Sequence, residues 1–364
     1  MVQFLLANSG RSWRALVLGC VLLLLWAPAW ARKPRATAPE PPPPEVPLAG
    51  GRKLVWESAL SAERDVRKKP GFWGKLLNVV AGPPDYHYLI RPYGVAVDSH
   101  GRVIVTDPGA VGIHIFDLAQ QKYKFVQRRE KGKNSLLAPQ CVALDSADNI
   151  YVTDSESGRI FVFDANGKFN RMIGSLKGGE GFFKRPTGIA VDSAAQRIYV
   201  SDTLRNQVFV LDMKGDVLQT IGKTGTGPGE FNYPTELLLH GAHLAVVDAM
   251  NFRVQVLSRS GEFEYATGKL GDAAGTMFRP KGIGFDSEDD LYVVDGLWGL
   301  VQVFNHQGQL LYYFGKKGTK PGQFQLPVGL FIDLQDRIFV VDSFNRRIQI
   351  FRYYGLARSS GGLH

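Results

Sequence analysis

The feature that most constrains this chain is a period of about 47 residues that runs six times. A proline precedes a short apolar segment at Pro92, Pro139, Pro186, Pro234, Pro280 and Pro327, at intervals of 47, 47, 48, 46 and 47 residues. An aspartate closes a second segment at Asp107, Asp154, Asp202, Asp248, Asp295 and Asp342, at intervals of 47, 48, 46, 47 and 47. Two independent landmarks with one period define a structural repeat. Each copy must then be one supersecondary unit that buries its apolar faces against its neighbours.

The third copy shows the unit most clearly. Gly188 to Asp192 is a short apolar run, Arg197 to Asp202 a second, Gln207 to Asp212 a third and Val217 to Gly222 a fourth, with polar or glycine turns between them. β-branched and aromatic residues bounded by Gly/Asp turns predict four strands. Four strands in about 47 residues are a propeller blade. The fold class is therefore predicted as all-β, a six-bladed β-propeller of four-stranded blades spanning 71–354. The 41 glycines suit its many tight turns, and two cysteines are too few for a disulfide-stapled fold.

The sixth copy holds only three strands, at 329–333, 337–342 and 347–351, before Arg352-Tyr353-Tyr354-Gly355 and a polar tail, 355–364. Upstream, Lys53 to Ala59 reads as a strand without a blade. An unpaired blade edge would expose a row of backbone donors and acceptors. The segment 52–70 is accordingly predicted to supply the outer strand of blade six and lock the ring, with a short helix over Ala62 to Lys69.

The first 31 residues read as an export signal. Arg11 and Arg14 precede an apolar run from Ala15 to Trp26, and Ala29-Trp30-Ala31 is a small-x-small cleavage site. Cleavage after Ala31 predicts a periplasmic or other extracytoplasmic protein. Left uncleaved, the 17 residues 15–31 sit at the short limit for a membrane anchor. Cleavage would remove Cys20 and leave Cys141 alone, so no internal disulfide is expected. Residues 32–51 form a proline-rich linker. Pro41 to Pro44 favour an extended polyproline II stalk that stays out of a core.

The formal net charge of +9 is unevenly placed: residues 1–70 carry 11 Lys+Arg against 5 Asp+Glu, leaving +3 on residues 71–364. Nucleic-acid binding requires a concentrated basic face, and the near-neutral repeat region does not announce one.

On these motifs the chain resembles the NHL-repeat propellers, in particular exported bacterial members. The resemblance is carried by the recurrent P-x-G-[IVL]-x-[VFI]-D strand, the [IL]-[YF]-V-[TSV]-D strand and the [RQ]-[IV]-x-[VI]-[FL] strand after it. It is carried also by the connectors Gly225 to Phe231 and Gly318 to Phe324, and it covers 91–351. The name-giving Asn-His-Leu triplet is absent, replaced for example by Asn206-Gln207-Val208. The resemblance implies a fold rather than an activity, because propellers host unrelated functions. Its enzymatic members include peptidyl-hydroxyglycine lyases with a channel metal, and the related gluconolactonase-type propellers place acidic and amide ligands on channel strands. Here the corresponding strands are almost wholly apolar, as in Gly94-Val95-Ala96-Val97 and Gly188-Ile189-Ala190-Val191. No cofactor and no metal site are expected. Tripartite-motif members bind nucleic acid; the export signal and near-neutral repeats argue against that here.

The six repeated aspartates are read as architecture, each binding the amides of its own turn. Arg159, Gln207, Arg253 and Arg347, which open third strands, are expected to pair with them. His240 and His243 form an H-x-x-H pair in a strand–turn context, a weak zinc signal. What varies between copies is more informative than what recurs. The connectors entering each blade and the loops after its second strand should share one face of the disc. Their variable residues are candidates for a binding surface: Tyr93, Arg185, Thr187, Arg205, Phe231, Tyr233, Arg279, Lys281, Trp298, Asn345 and Arg346. Arginine with aromatics is the composition of interaction hot spots. Glu236 joins them because it replaces the glycine of the first strand in blade four. Arg279 and Lys281 are its expected ion-pair partners, while Cys141, at the same position in blade two, reads as a small buried residue. The expected protein is a monomeric, non-enzymatic scaffold or sensor for a protein or peptide partner. The alternative is a metal-dependent lyase or lactonase.

Overall fold

A computed structural model describes residues 44–68, 71, 82, 84–130, 134–178 and 180–355. The signal segment, most of the proline-rich linker and the tail beyond Gly355 lie outside the described residues. Among the described residues no helix is long and apolar enough to cross a membrane.

Six antiparallel sheets follow one another along the chain, five of them four-stranded in simple sequential order. The inner strands are Val95–Val97, Pro139–Leu144, Pro186–Asp192, Pro234–His240, Pro280–Phe285 and Pro327–Ile332. The chain is therefore an all-β six-bladed propeller. Second and third strands are buried on both faces, and so read as continuous apolar runs such as Ile160-Phe161-Val162-Phe163. Outer strands such as Phe169–Ile173 alternate and face solvent on one side.

The core is not one mass but six slabs, each shared by adjacent blades. One joins blades one and two through Ile104, Ile115, Val152 and Phe161. Its counterpart joins blades six and one through Phe339, Val341, Val103 and Val105. At the foot of every slab stands the residue three positions before the blade proline: Leu89, Leu136, Phe183, Phe231, Met277 and Phe324, all buried.

Two devices tie the inner strands together. In blades one to three a hydroxyl on the second strand reaches the next blade: Thr106 donates to the Gln140 carbonyl, Thr153 to Thr187 (2.5 Å) and Ser201 to Thr235. Blades four to six carry Val247, Val294 and Val341 there and instead clamp their connectors with buried glutamines. Gln255, for example, donates to the Glu230 carbonyl (2.7 Å) and accepts from the Gly229 amide (3.0 Å).

The ring closes as the sequence predicted. Strand β2 (Lys53–Leu60) pairs antiparallel with the third strand of blade six, from Lys53 opposite Tyr354 to Leu60 opposite Ile348. That third strand consequently runs on to Tyr354, beyond the predicted end at 351, because β2 supplies partners that far. Leu54 enters the slab between blades five and six, and Leu60 the slab between blades six and one. The predicted helix is a single 3-10 turn, Glu63–Asp65, held by the Asp65 carboxylate on the Ser61 and Ala62 amides at 2.6 and 2.8 Å. The linker ends earlier than expected. Strand β1 (Glu45–Pro47) pairs with β2 and makes blade six five-stranded, with Val46 and Leu48 packed on the core. A proline is tolerated there because β1 is an edge strand with no further neighbour to receive a donor.

The repeated aspartates hold the architecture. Asp107 accepts from the amides of Ile90 (2.6 Å) and Arg91 (3.0 Å) in the connector and of Ala110 (3.0 Å) in its own turn. Asp154 and Asp295 do the same in their blades. Arg253 and Arg347 pair with Asp248 and Asp342 at 2.9 and 2.8 Å. Arg159 instead donates to Asn134, and Gln207 to the Gly222 carbonyl.

Candidate functional site

In five of the six blades the proline is followed by a local irregularity. In blades two to six the inner strand takes three steps where its partner takes two: Pro186 faces Asp202, and Ile189 already faces Val200. Pro139/Val142, Pro234/Leu237, Pro280/Ile283 and Pro327/Leu330 repeat the same bulge. A bulge re-aims the side chains it carries. The residue just after each proline, Tyr93, Gln140, Thr187, Thr235, Lys281 and Val328, lines one cavity at the mouth of the central channel. Residues just before the prolines, among them Arg91, Arg185, Tyr233 and Arg279, form its wall. The turns after the second strands add Met250 and Phe344 at the rim. The result is a funnel of about 560 Å³, within the range of small-molecule sites. A groove of about 840 Å³ on the outer flank of blades one and two is walled by surface chains such as Lys122, Gln120 and Asn166, and lacks this convergence.

The funnel has one sign of charge. Its lining holds Arg91, Arg185, Arg279 and Lys281 and no carboxylate. Among the described residues none of the four has an ion-pair partner within 4.0 Å, whereas Arg102, Arg253, Arg337 and Arg347 elsewhere in the molecule all do. Burial, and then the field of Arg279, hold the Lys281 ammonium down at about 8, with Arg185 acting in the same direction. Three cations therefore converge. Thr235 is 8% exposed, lines the funnel, and its Oγ1 has no hydrogen-bond partner among the described residues.

Behind the funnel lies the waist of the channel. In four blades the position two past the proline is glycine: Gly94, Gly188, Gly282 and Gly329. A Cβ at Gly188 would stand 2.3 Å from the Thr235 carbonyl oxygen, so neighbouring inner strands touch there. Blades two and four carry Cys141 and Glu236 instead. The Cys141 thiol donates to Glu236 Oε2 at 3.0 Å. Burial pushes the Glu236 carboxyl up to about 7, against the opposing pull of the thiol hydrogen bond and Lys281. Burial and the neighbouring Glu236 push the thiol well up, which keeps it a donor. Tyr93, facing the same waist, is raised too, mainly by burial. Beyond the waist the channel opens to a second cavity of about 390 Å³, walled by apolar residues such as Val97, Leu144, Val191 and Leu239.

Of the twelve residues predicted for the binding surface, Tyr93, Arg185, Thr187, Tyr233, Arg279 and Lys281 share the funnel, and Glu236 forms part of the waist. The expected ion pairs of Glu236 with Arg279 or Lys281 are not formed among the described residues. Its direct partner is the thiol, so Cys141 is more than filler. Phe231 is corrected outright: it is 0% exposed and is one of the six slab residues. Asn345 donates to the Gly318 carbonyl (2.9 Å) and to Asp342 (2.8 Å), as Asn251 does in blade four, and is architecture. Arg205 lies over the Phe182 and Phe209 rings beside Asp202. Trp298 is exposed near Lys317, and Arg346 is exposed in a left-handed turn position. None of these five lines the funnel. The sequence reading missed Arg91, Gln140, Thr235, Met250, Phe344 and Val328. The repeat register would have found four of them, since they flank the blade prolines as Arg185 and Lys281 do.

His240 and His243 do not meet on a common ligand: His240 bonds Asp289 at 2.7 Å, and His243 Nδ1 lies 2.6 Å from a Glu264 carboxylate oxygen. One group among the described residues could hold a cation: Asp98, His100 and Asp148, on hairpins at the other end of the ring. Its carboxylates are already engaged, Asp98 with two turn amides at 2.9 Å and Arg102 at 2.5 Å, Asp148 with Ser99 at 2.6 Å and His100 at 3.2 Å.

A family described as a 6-bladed beta-propeller (DUF5128) matches residues 140–200 and 189–267. No curated protein matches the chain. Solved structures similar in fold include a structural genomics protein of unknown function from Bacteroides thetaiotaomicron (16% identity, 73% of this chain and 70% of that one, TM-score 0.57). An auxiliary nutrient binding protein from the same organism is similar at 14% identity, over 74% of this chain and 70% of that one, with TM-score 0.56. A gluconolactonase of Xanthomonas campestris is similar at 15% identity, over 86% of this chain and 99% of that one, with TM-score 0.56. At such identities the likeness is one of fold. Sequence repeat, strand topology and these neighbours agree that this chain is a six-bladed β-propeller.

Proposed function

We propose that this protein is a non-enzymatic binding propeller of the NHL type, exported through its N-terminal signal, that receives a protein or ligand partner at its funnel. The observation that carries the reading is the convergence of connector and turn residues from five or more blades on one concave, carboxylate-free cavity. A closed ring of sheets holds these loops in fixed relation, which suits recognition. Concavity and the modest charge of the repeats weigh against nucleic acid, which needs an extended basic surface. The lyase or lactonase alternative would draw on Glu236, the carboxylate bonded to Cys141 at the channel waist. One carboxylate with a thiol is a poor donor set for calcium, which takes six to eight oxygens.

The test uses the mature chain beginning at Arg32. A photo-crosslinking residue is placed at Met250 or Phe344 on the rim, or at Leu334 on the opposite face, and irradiated in the native envelope. The reading predicts a discrete adduct from the rim positions only, and no tightly held metal by elemental analysis. Equal products from both faces, or about one equivalent of calcium or zinc removed only by chelator, would overturn it.

A further inference from the structure

Building on the funnel reading, the geometry points to one ligand chemistry: a carboxylate carried on an apolar or aromatic body, bound with its charged end inward.

Three observations support this. First, among the described residues the four cations of the lining have no carboxylate within 4.0 Å. Arg102, Arg253, Arg337 and Arg347, by contrast, are each held by a carboxylate four or five residues away. Mutual repulsion among Arg185, Arg279 and Lys281 disfavours the empty arrangement, and an entering anion relieves it. Second, Thr235 Oγ1 is nine-tenths buried and unpartnered among the described residues. Its backbone is fixed by Ser201 from the neighbouring blade, so the hydroxyl is a preset donor. An unfilled buried hydroxyl costs free energy that a ligand oxygen recovers. Third, the rim is apolar: Met250, Phe278, Phe344 and Tyr233 are all exposed. Inner cations and an outer apolar collar select an acid with an apolar body over a bare inorganic anion. A volume of about 560 Å³ admits such a body and excludes a nucleic-acid duplex.

Glu236 sets the depth of the site. Its carboxyl is raised towards neutrality by burial, so it repels an incoming carboxylate weakly at neutral pH and more strongly above it. Binding should therefore weaken as pH rises through about 7 to 8, where Glu236 ionises and Lys281 loses its proton.

The experiment is titration calorimetry on the mature chain with three matched probes: naphthaleneacetate, its neutral amide and naphthylethylamine. A fourth pair, an N-acetylated tetrapeptide ending in phenylalanine with a free or amidated terminus, distinguishes a peptide terminus from a small acid. The expected result is that the free acids bind at least about tenfold more tightly than the amides, since charge-assisted bonds exceed neutral ones by about that factor. The amine should not bind. Arg185→Ala/Arg279→Ala and Lys281→Met should each abolish the preference, Glu236→Gln should strengthen binding above neutral pH, and Arg346→Ala, outside the funnel, should change nothing. Thermal unfolding of each variant checks that the ring is intact. Equal binding of acid and amide, lost on changing Phe344, would overturn the carboxylate inference while leaving the funnel as a binding site. Failure of all probes would also overturn it, and rim crosslinking would then decide the broader reading separately.

Discussion

Replacing Glu236 by glutamine tests the physical chemistry of the channel waist. Burial moves this carboxyl from 4.5 to about 7. In the unfolded chain it loses its proton near 4.5, while in the folded ring it keeps it to about 7. The folded state therefore binds the extra proton inside that window. Its contribution is intact below pH 4.5, declines as pH rises, and is fully lost above about 7. The full displacement corresponds to about 3 kcal/mol at roughly 1.4 kcal/mol per pH unit. The half-buried side chain still reaches channel solvent, so on the order of 2 kcal/mol is expected. Glutamine keeps an acceptor for the Cys141 thiol and removes the titration. Urea unfolding should show similar stability for the two proteins near pH 5. Near pH 7.5, below the titration of Lys281, the variant should be more stable by about 2 kcal/mol. A stability difference that is the same at both pH values would refute the assignment of a buried, proton-holding carboxyl.

Further expectations separate architecture from site. Phe231→Ala should cost about 3–5 kcal/mol by opening a cavity in the slab between blades three and four, read by chemical denaturation. Tyr233→Ala, two residues on and exposed, should cost less than about 1 kcal/mol yet weaken ligand binding at the funnel. Thr153→Val, imitating blades four to six, should lose about 1 kcal/mol with its bond to the Thr187 carbonyl. A chain starting at Ser61 lacks β1 and β2, leaves blade six with a free edge and empties the places of Leu54 and Leu60. It should aggregate and lose the cooperative thermal transition, and a truncated chain that melts like the full one would contradict the closure.

The repeat made the fold legible because its landmarks are structural necessities. The proline opens each inner strand, the aspartate fastens turn and connector, and the missing twenty-fourth strand had one source, Lys53 to Ala59. The site was half legible. Variation between copies pointed to Arg185, Tyr233, Arg279 and Lys281, which converge on a common cavity. The same rule failed at Phe231 because its equivalents differ in type, Leu89, Leu136 and Met277 among them, while sharing one buried place. Judged by register, Phe231 was a repeated residue all along. The Cys141–Glu236 bond was invisible because it spans 95 positions across an intervening blade. β1 was misread for a different reason: proline content argued for a stalk, but the free edge of β2 offered partners to Glu45–Pro47.

Central to the account is that the funnel is occupied at work. Hydroxyl-radical footprinting in the native envelope, compared with the purified protein, measures this directly. Met250 and Phe344 on the rim are 51% and 59% exposed, and Leu334 on the opposite face is 97% exposed. The account predicts that oxidation of Met250 and Phe344 falls several-fold in the envelope while Leu334 is unchanged. Rim residues oxidised as fast in the envelope as in isolation, or protection at Leu334 alone, would contradict it.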